Sequence, residues 1–204
     1  PAIGGTEAVG TIDAVGEGVD AALVGKRVAA AGIHGTWAEF FIAQATGIVP
    51  LPDVISDEAA AQLIAMPFSA ISLLDFLTVK QGDWIVQTAA NGAVGKVLAA
   101  LTAERGIGLV NLVRRQEAVQ ELTDLGMTNI VVTSDADWID QVKAITGPDG
   151  ARAAVDSVGG AVGAGLVDVL GEAGELVVFG TATGEPMPLN SGAIIFKHIT
   201  IKGF

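Results

Sequence analysis

The chain has 204 residues, with 11 basic and 23 acidic side chains, a formal net charge of −12, and no cysteine or tyrosine. A charge this negative argues against a nucleic-acid or anionic-membrane surface, which would need a basic face. The absence of cysteine excludes disulfides, thiolate zinc sites and a cysteine nucleophile, and the absence of tyrosine excludes a tyrosine acid within this chain.

The beginning of the chain has neither a basic leader nor an apolar block, so we expect no signal peptide and a cytoplasmic location. It opens on Pro1 rather than Met, which indicates a processed chain or a piece of a longer one. The charge-free stretch 59–74 is too short and too polar for a membrane span, which needs roughly 20 mostly apolar residues.

The first fifty residues alternate short apolar runs with glycine turns, a pattern typical of a small β-rich unit. The predicted strands are 8–15, 27–31 and 37–43. Pro50 and Pro52 end this unit. Two helices are predicted next, 56–64 with Ser56 as its N-cap and 68–77 beginning after a proline.

After residue 82, apolar runs of strand length alternate with amphipathic segments of helix length. The predicted strands are 84–87, 109–113, 130–132, 153–155, 176–179 and 199–202, and the predicted helices are 94–105, 116–125, 138–145 and 162–170. Strands that are apolar on both faces are typical of a parallel sheet covered by helices. The fold class is therefore predicted as α/β, with a Rossmann-type doubly wound parallel sheet.

A glycine turn follows the first of these strands and opens a helix. It reads Thr88-Ala89-Ala90-Asn91-Gly92-Ala93-Val94-Gly95. Glycines let the backbone approach a pyrophosphate, and the helix N-terminus supplies free N–H groups. The candidate pyrophosphate-binding residues are Asn91, Gly92, Ala93, Val94 and Gly95. The alternative is a tight strand-to-helix turn that binds nothing.

The end of the second strand bears on the choice of nicotinamide cofactor. Arg114, Arg115 and Gln116 stand there, where an NAD site usually has an acidic residue for the ribose 2′-hydroxyl. The planar guanidinium of arginine suits a phosphate, which favours NADPH. The alternative is a solvated arginine pair at the start of a helix.

Two further loops would reach a ligand beyond the carboxyl ends of the strands. They are Asp156-Ser157-Val158-Gly159 after the fourth strand, and Phe179-Gly180-Thr181-Ala182 after the fifth. Small residues at these places would let a nicotinamide ring lie against backbone. Ordinary glycine turns are the equally open alternative.

These residues together resemble the medium-chain dehydrogenase/reductase superfamily, in its zinc-free branch of quinone reductases and 2-enoyl thioester reductases. The segments that carry the resemblance are 1–10, which includes a Gly-x-Glu-x-x-Gly pattern, Gly35-Thr36-Trp37-Ala38-Glu39, 87–95, Val113-Arg114-Arg115 and 196–204. The resemblance implies a partial GroES-like catalytic domain over 1–64 and an NADP-binding Rossmann domain over 65–204. It also implies a cofactor contact at Phe204 and a homodimer formed through the last strand of the cofactor sheet.

The resemblance separates this chain from the zinc-dependent relatives. In those relatives a His-Glu pair occupies the first segment, whereas here Thr6 takes the histidine position, and Glu7 is expected to be structural. His34 and His198 are expected to be a loop residue and a structural residue. No metal site is predicted.

The departures from the enoyl reductase pattern concern the substrate side. A tyrosine that acts near the substrate in that subfamily is absent, so no catalytic residue is assigned. Met66 stands where the subfamily has a polar residue near the nicotinamide, and Ser69 matches a family Ser/Thr that could equally cap a helix.

The resemblance implies an NADPH-dependent oxidoreductase that reduces an activated C=C bond, most of all in a 2-enoyl thioester. The first alternative is an NADPH:quinone reductase. An alternative of another class is a non-catalytic NADPH-binding fragment or homologue, and a further one is the enoyl-reductase portion of a polyketide-type synthase. The expected partner is a small enoyl thioester, enone or quinone, with no nucleic acid and no membrane.

Overall fold

A three-stranded antiparallel sheet organises the first part of the chain. The computed structural model describes residues 2–204, which divide after Ser69 into two units. In the first unit the strands are β1 (Glu7–Thr11), β2 (Arg27–Ala31) and β3 (Ile48–Pro50), in the order β1-β2-β3. Val9 lies opposite Ala29, and Ala29 lies opposite Val49. The centre of β2 is buried and forms the core of this small sheet.

The strand predicted over 37–43 is wrong. These residues form no strand, and the third strand of the sheet is β3 instead. A strand is stable only when its backbone N–H and C=O groups pair with a neighbour, and among the described residues the one backbone bond of this segment joins the Trp37 N–H to the Gly4 carbonyl at 3.0 Å. Phe40 and Ile42 are consequently 75% and 90% exposed. They border an open groove of about 800 Å³ beside the sheet.

Two helices follow, α1 (Asp57–Ala60) and α2 (Ala65–Phe76). The predicted N-cap of α1 is confirmed, because the hydroxyl of Ser56 accepts a hydrogen bond from the Ala59 N–H at 3.3 Å. Helix α1 is shorter than predicted. Helix α2 begins two residues before Pro67, which it tolerates because the N–H groups of a first helical turn have no intrahelical partner.

The second unit is built on six parallel strands, as the sequence predicts. The strands are β4 (Trp84–Gln87), β5 (Gly108–Val113), β6 (Ile130–Val132), β7 (Ala151–Asp156), β8 (Leu170–Val178) and β9 (Thr200–Gly203). The helices are α3 (Ala93–Glu104), α4 (Glu117–Asp124), α5 (Trp138–Thr146), α6 (Gly160–Val169) and α7 (Ser191–Phe196). The strand order is β6-β5-β4-β7-β8-β9. Successive strands are added on one side of β4 up to β6 and on its other side from β7 onward, which is the doubly wound arrangement.

Helices cover both faces of this sheet, so successive residues of a strand enter different cores. Ile85 packs in one cluster with Leu98 of α3, whereas Val86 packs in another with Val142 of α5 and Leu166 of α6. Burial on both faces explains why the strands read as continuous apolar runs. The α/β fold class is confirmed. No helix within residues 2–204 is both long enough and apolar enough to cross a bilayer.

Helix α7 was not predicted from the sequence. Lys197, the residue that follows it, caps the C-terminus of α6. The ammonium group of Lys197 donates to the carbonyl oxygens of Val167 at 3.2 Å, Asp168 at 3.1 Å and Leu170 at 2.8 Å, at the end of α6. A cation at a helix C-terminus satisfies carbonyl groups that have no intrahelical partner. Burial lowers the pKa of Lys197, and the nearby Asp168 opposes that effect.

Lys197→Met is expected to lower the free energy of unfolding by about 1–2 kcal/mol at pH 7, because it leaves these carbonyls unsatisfied. The folded-state pKa of Lys197 lies below the unfolded value, so above the folded pKa the unfolded chain binds more protons and this lysine adds stability as pH rises. The stability gap between wild type and Lys197→Met should therefore widen up to roughly pH 10.4. Urea unfolding of both proteins at pH 7, 9 and 10 measures it. A gap that narrows would contradict this assignment.

Candidate cofactor site

The site lies at the carboxyl ends of β4, β5, β7 and β8, where the strand order reverses. From β4 the chain turns to α3, which packs on β5, and from β7 it turns to α6, which packs on β8. Because the two connections leave in opposite directions, a crevice opens between them. The last ladder bond before the divergence runs from the Thr88 N–H to the Val155 carbonyl at 3.0 Å.

The glycine turn forms one wall of this crevice. Ala89 has a φ of 50°, unusual for a residue with a side chain, and its carbonyl accepts the Gly92 N–H at 2.9 Å. Gly92 is the N-cap of α3 and provides no capping side chain. Within the described residues, the N–H groups of Ala93, Val94 and Gly95 have no hydrogen-bond partner. Such donors at the start of a twelve-residue helix can bind a phosphate.

The glycines of this turn differ in their surroundings. A Cβ on Gly95 would lie 2.7 Å from the carbonyl oxygen of Ala90 and 2.9 Å from its Cα, so α3 approaches the turn too closely for any side chain. Gly92 is exposed, and a Cβ there would meet only the Ala89 carbonyl oxygen, at 3.2 Å. Gly95 therefore serves the packing of the helix, and Gly92 leaves the exposed side of the turn open.

A buried amide pair, which the glycine pattern does not predict, lies next to the turn. The side-chain nitrogen of Gln87 donates to the Gly95 carbonyl at 3.0 Å and to the side-chain oxygen of Asn111 at 2.7 Å. Gln87 and Asn111 face each other across β4 and β5 and are both 2% exposed. The signal was present, since each is the only polar residue in an otherwise apolar strand.

Arg114 and Arg115 directly follow β5, and Gln116 is the N-cap of α4. All three are exposed. The Ala90 N–H donates to the Leu112 carbonyl at 3.1 Å, so the end of β5 lies beside the glycine turn. In the part of the chain that the structure describes, neither guanidinium has an ion-pair or hydrogen-bond partner. Both are therefore available to an anion, with Glu117 as the adjacent acid.

The two loops predicted to border the ligand are joined to one another. The Ala182 N–H donates to the Ser157 carbonyl at 3.0 Å, and the hydroxyl of Thr183 donates to the Val158 carbonyl at 2.9 Å. A Cβ on Gly180 would lie 2.9 Å from the Ser157 carbonyl oxygen, so the loops touch through backbone. Phe179 and Gly180 are partly buried, whereas Thr181 and Ala182 are exposed.

Phe204 follows β9, and its N–H donates to the Val178 carbonyl at 3.0 Å. Its ring is 49% exposed and packs against Phe76, with 5.4 Å between the ring centroids. Met66 and Ser69 lie in α2. Ser69 is the fifth residue of that helix, so the suggestion that it caps the helix is wrong.

Glu7 has a structural contact, as expected for it. One carboxylate oxygen accepts the N–H groups of Ile64 at 2.6 Å and Ala65 at 3.0 Å, at the start of α2. A carboxylate at this end of a helix is favourable. His34 and His198 are both exposed. Residues 2–204 bring no three His, Asp or Glu side chains together in a metal-binding cluster.

A doubly wound sheet, a glycine turn at its switch point and free guanidiniums at the next strand define a protein of the dinucleotide-binding class. Comparison with known families supports this. The family model described as "Zinc-binding dehydrogenase" matches residues 93–204, and the one described as "Alcohol dehydrogenase GroES-like domain" matches residues 1–53. The chain belongs to the medium-chain dehydrogenase/reductase superfamily that these models describe.

Within this superfamily, the chain is similar to enoyl reductases and quinone oxidoreductases. Mitochondrial enoyl-[acyl-carrier-protein] reductase of Caenorhabditis elegans is 34% identical over 211 residues, covering 100% of this chain and 60% of the relative. Escherichia coli quinone oxidoreductase complexed with NADPH superposes with a TM-score of 0.85 at 27% identity, covering 98% of this chain and 62% of that one. A mycobacterial protein complexed with NADPH gives a TM-score of 0.83 at 30% identity, covering 97% and 62%. The chain thus spans about three fifths of the length of these relatives.

Proposed function

We propose that this chain provides the NADPH-binding part of a reductase that acts on an activated C=C bond, most of all in a 2-enoyl thioester. We take residues 65–204 as the cofactor domain and 1–64 as part of a GroES-like catalytic domain. The observation that best supports this proposal is that two sets of donors are present together. The N–H groups at the start of α3 and the guanidiniums after β5 both lack partners among the described residues. Enoyl reductases and NADPH-bound quinone oxidoreductases among the relatives support it.

The residues of the crevice have distinct roles in this proposal. The N–H groups of Ala93, Val94 and Gly95 receive the pyrophosphate, with Asn91 and Gly92 forming the rim of the turn. Arg114, Arg115 and Gln116 hold the additional phosphate on the adenosine ribose. A guanidinium can donate two parallel hydrogen bonds to a phosphate. NADH has no phosphate on the adenosine ribose, so these residues would favour NADPH.

The far end of the crevice would receive the nicotinamide. Phe179, Gly180, Thr181 and Ala182 present mostly backbone there, and Phe204 lies at the end of the neighbouring strand. Bound NADPH supplies the hydride. The part of this chain is to fix the ring against the strand ends and keep water from it. No catalytic residue of this chain is assigned.

A quinone reductase is the second candidate, because the structural relatives described above include a quinone oxidoreductase. A non-catalytic NADPH-binding chain is the third, because this chain contains no tyrosine and no catalytic residue is assigned in it. Both candidates use the same cofactor crevice, so NADPH binding is common to all three and turnover separates them.

The test is a titration of this chain with NADPH, followed by turnover. We expect saturable binding with NADPH preferred over NADH, and NADPH oxidation that is faster with crotonyl-CoA than with a benzoquinone. Faster oxidation with the quinone selects the second candidate. Binding without any oxidation selects the third, and a lack of NADPH binding rejects all of them.

A homodimer formed through β9 and a cytoplasmic location are further parts of the proposal. β9 is an edge strand that pairs only with β8 among the described strands, and Ile201 on it is 37% exposed. An edge strand with unpaired backbone groups can pair with a second copy. The Caenorhabditis elegans relative is described as mitochondrial, which does not support the cytoplasmic part of this proposal.

A further inference from the structure

Thr88 and Asp156 join two turns of the crevice across the point where the strands diverge. Thr88 follows the last residue of β4, and Asp156 is the last residue of β7. The Thr88 hydroxyl donates to one carboxylate oxygen of Asp156 at 2.8 Å and accepts the Ser157 N–H at 2.9 Å. One hydroxyl thus binds the side chain and the backbone of the facing turn.

The Asp156 carboxylate also shapes its own turn. The oxygen that Thr88 reaches accepts the Val158 N–H at 3.1 Å, and the other oxygen accepts the Gly159 N–H at 2.8 Å. A Cβ on Gly163 would lie 2.5 Å from this second oxygen, so helix α6 closes tightly over the group. The carboxylate has a donor on each oxygen and is held in one orientation.

Both side chains are withdrawn from water. Asp156 is 0% exposed and Thr88 is 4% exposed. All the hydrogen-bond partners that the structure gives the carboxylate are neutral hydroxyl and backbone groups, and no cation is among them. Burial of polar side chains costs free energy, and an apolar pair would hold the two strands together without that cost. The arrangement therefore indicates a role beyond cohesion.

The position of the pair indicates that role. Thr88 is followed directly by Ala89, whose left-handed backbone begins the glycine turn and is strained for a residue with a side chain. The facing turn, 156–159, is also joined to the 180–183 loop, because the carbonyls of Ser157 and Val158 accept hydrogen bonds from that loop. Loss of the Thr88 hydroxyl would thus loosen the start of the glycine turn. The separation between this turn and the other two turns would then no longer be fixed.

We propose that Asp156 is a positioning residue that acts through the Thr88 hydroxyl to fix the separation of the turns bordering the cofactor crevice, and so sets affinity for the dinucleotide. This rests on the proposed function for the identity of the ligand. It does not rest on it for the mechanics, because the hydrogen bonds that join the turns are made between groups of the chain itself.

The first measurement is hydrogen exchange of the ligand-free chain. Thr88→Val keeps the shape of the side chain and removes the hydroxyl, and it should speed amide exchange in 89–92 and 157–159. Thr88→Ser, which restores the hydroxyl, should return exchange to the wild-type rate. Thr146→Val is the matched control, since that buried hydroxyl donates to the Val142 carbonyl within α5. Unchanged exchange in both turns of Thr88→Val would overturn the proposal whatever the protein binds.

The second measurement is the Kd for NADPH. We expect a rise of about tenfold in Thr88→Val, little change in Thr88→Ser and little change in Thr146→Val. Asp156→Asn should produce a similar rise, and the double variant should lose less than the product of the two effects. Equal losses in Thr88→Val and Thr146→Val would reduce the pair to a structural role and overturn the proposal. A wild-type chain that binds no NADPH would instead reject the proposed function.

Discussion

NADPH should bind about 10–100-fold more weakly to the double variant Arg114→Ala, Arg115→Ala, while the Kd for NADH should change by less than about threefold. A hydrogen bond to a charged group contributes about 1.5–3 kcal/mol, and two exposed guanidiniums together should reach roughly that range because solvent screens them. NADH lacks the phosphate, so it loses only the weak long-range attraction. Fluorescence titration with both cofactors at one fixed salt concentration measures the two constants.

The control for this experiment must remove the same charge elsewhere. Lys80 lies before β4 and Lys143 lies in α5, and both are exposed. The variant Lys80→Ala, Lys143→Ala has the same net charge as the arginine variant and should leave the preference for NADPH intact. Equal weakening of NADPH and NADH in the arginine variant would reject the phosphate role and leave a solvated pair at the start of α4.

The second unit was predictable because its pattern is local. Each inner strand is buried on both faces, so its apolar run stands out from the amphipathic helices on either side. The glycine turn was recognisable for the same reason, since the strand, turn and helix are consecutive in the chain. The first unit was less predictable, because 37–43 is an apolar run of strand length whose backbone, beyond the Trp37 N–H, finds no partner among the described residues.

The contacts that organise the site could not be predicted from local pattern. Thr88 and Asp156 are 68 positions apart, and Gln87 and Asn111 are 24 apart, so only the strand order brings each pair together. Asp156 was recognised as part of a loop after a strand, but its link to Thr88 depends on β4 and β7 being neighbours. A polar residue that interrupts an apolar strand predicts a buried hydrogen bond, and the partner has to come from the fold.

Substitution of the two glycines of the glycine turn, Gly92 and Gly95, should cost different amounts of stability. Gly95→Ala is expected to lower the free energy of unfolding by about 2–3 kcal/mol, because its Cβ would lie 2.7 Å from a backbone oxygen that cannot rotate away. Gly92→Val should cost about 1 kcal/mol at most, since its φ of −74° suits any residue and its Cβ would meet one atom at 3.2 Å. Urea unfolding compares the two variants.

Cofactor binding should reverse this order among folded molecules. The side chain of Gly92→Val would stand over the unpartnered N–H groups of α3 and block the approach of the pyrophosphate, which NADPH and NADH share. Both Kd values should therefore rise at least about tenfold, in contrast to the NADPH-selective loss in the arginine variant. Gly16→Val is the control, since that glycine has open space around it and a φ outside the left-handed region. If Gly92→Val binds both cofactors normally, the pyrophosphate does not lie over this turn.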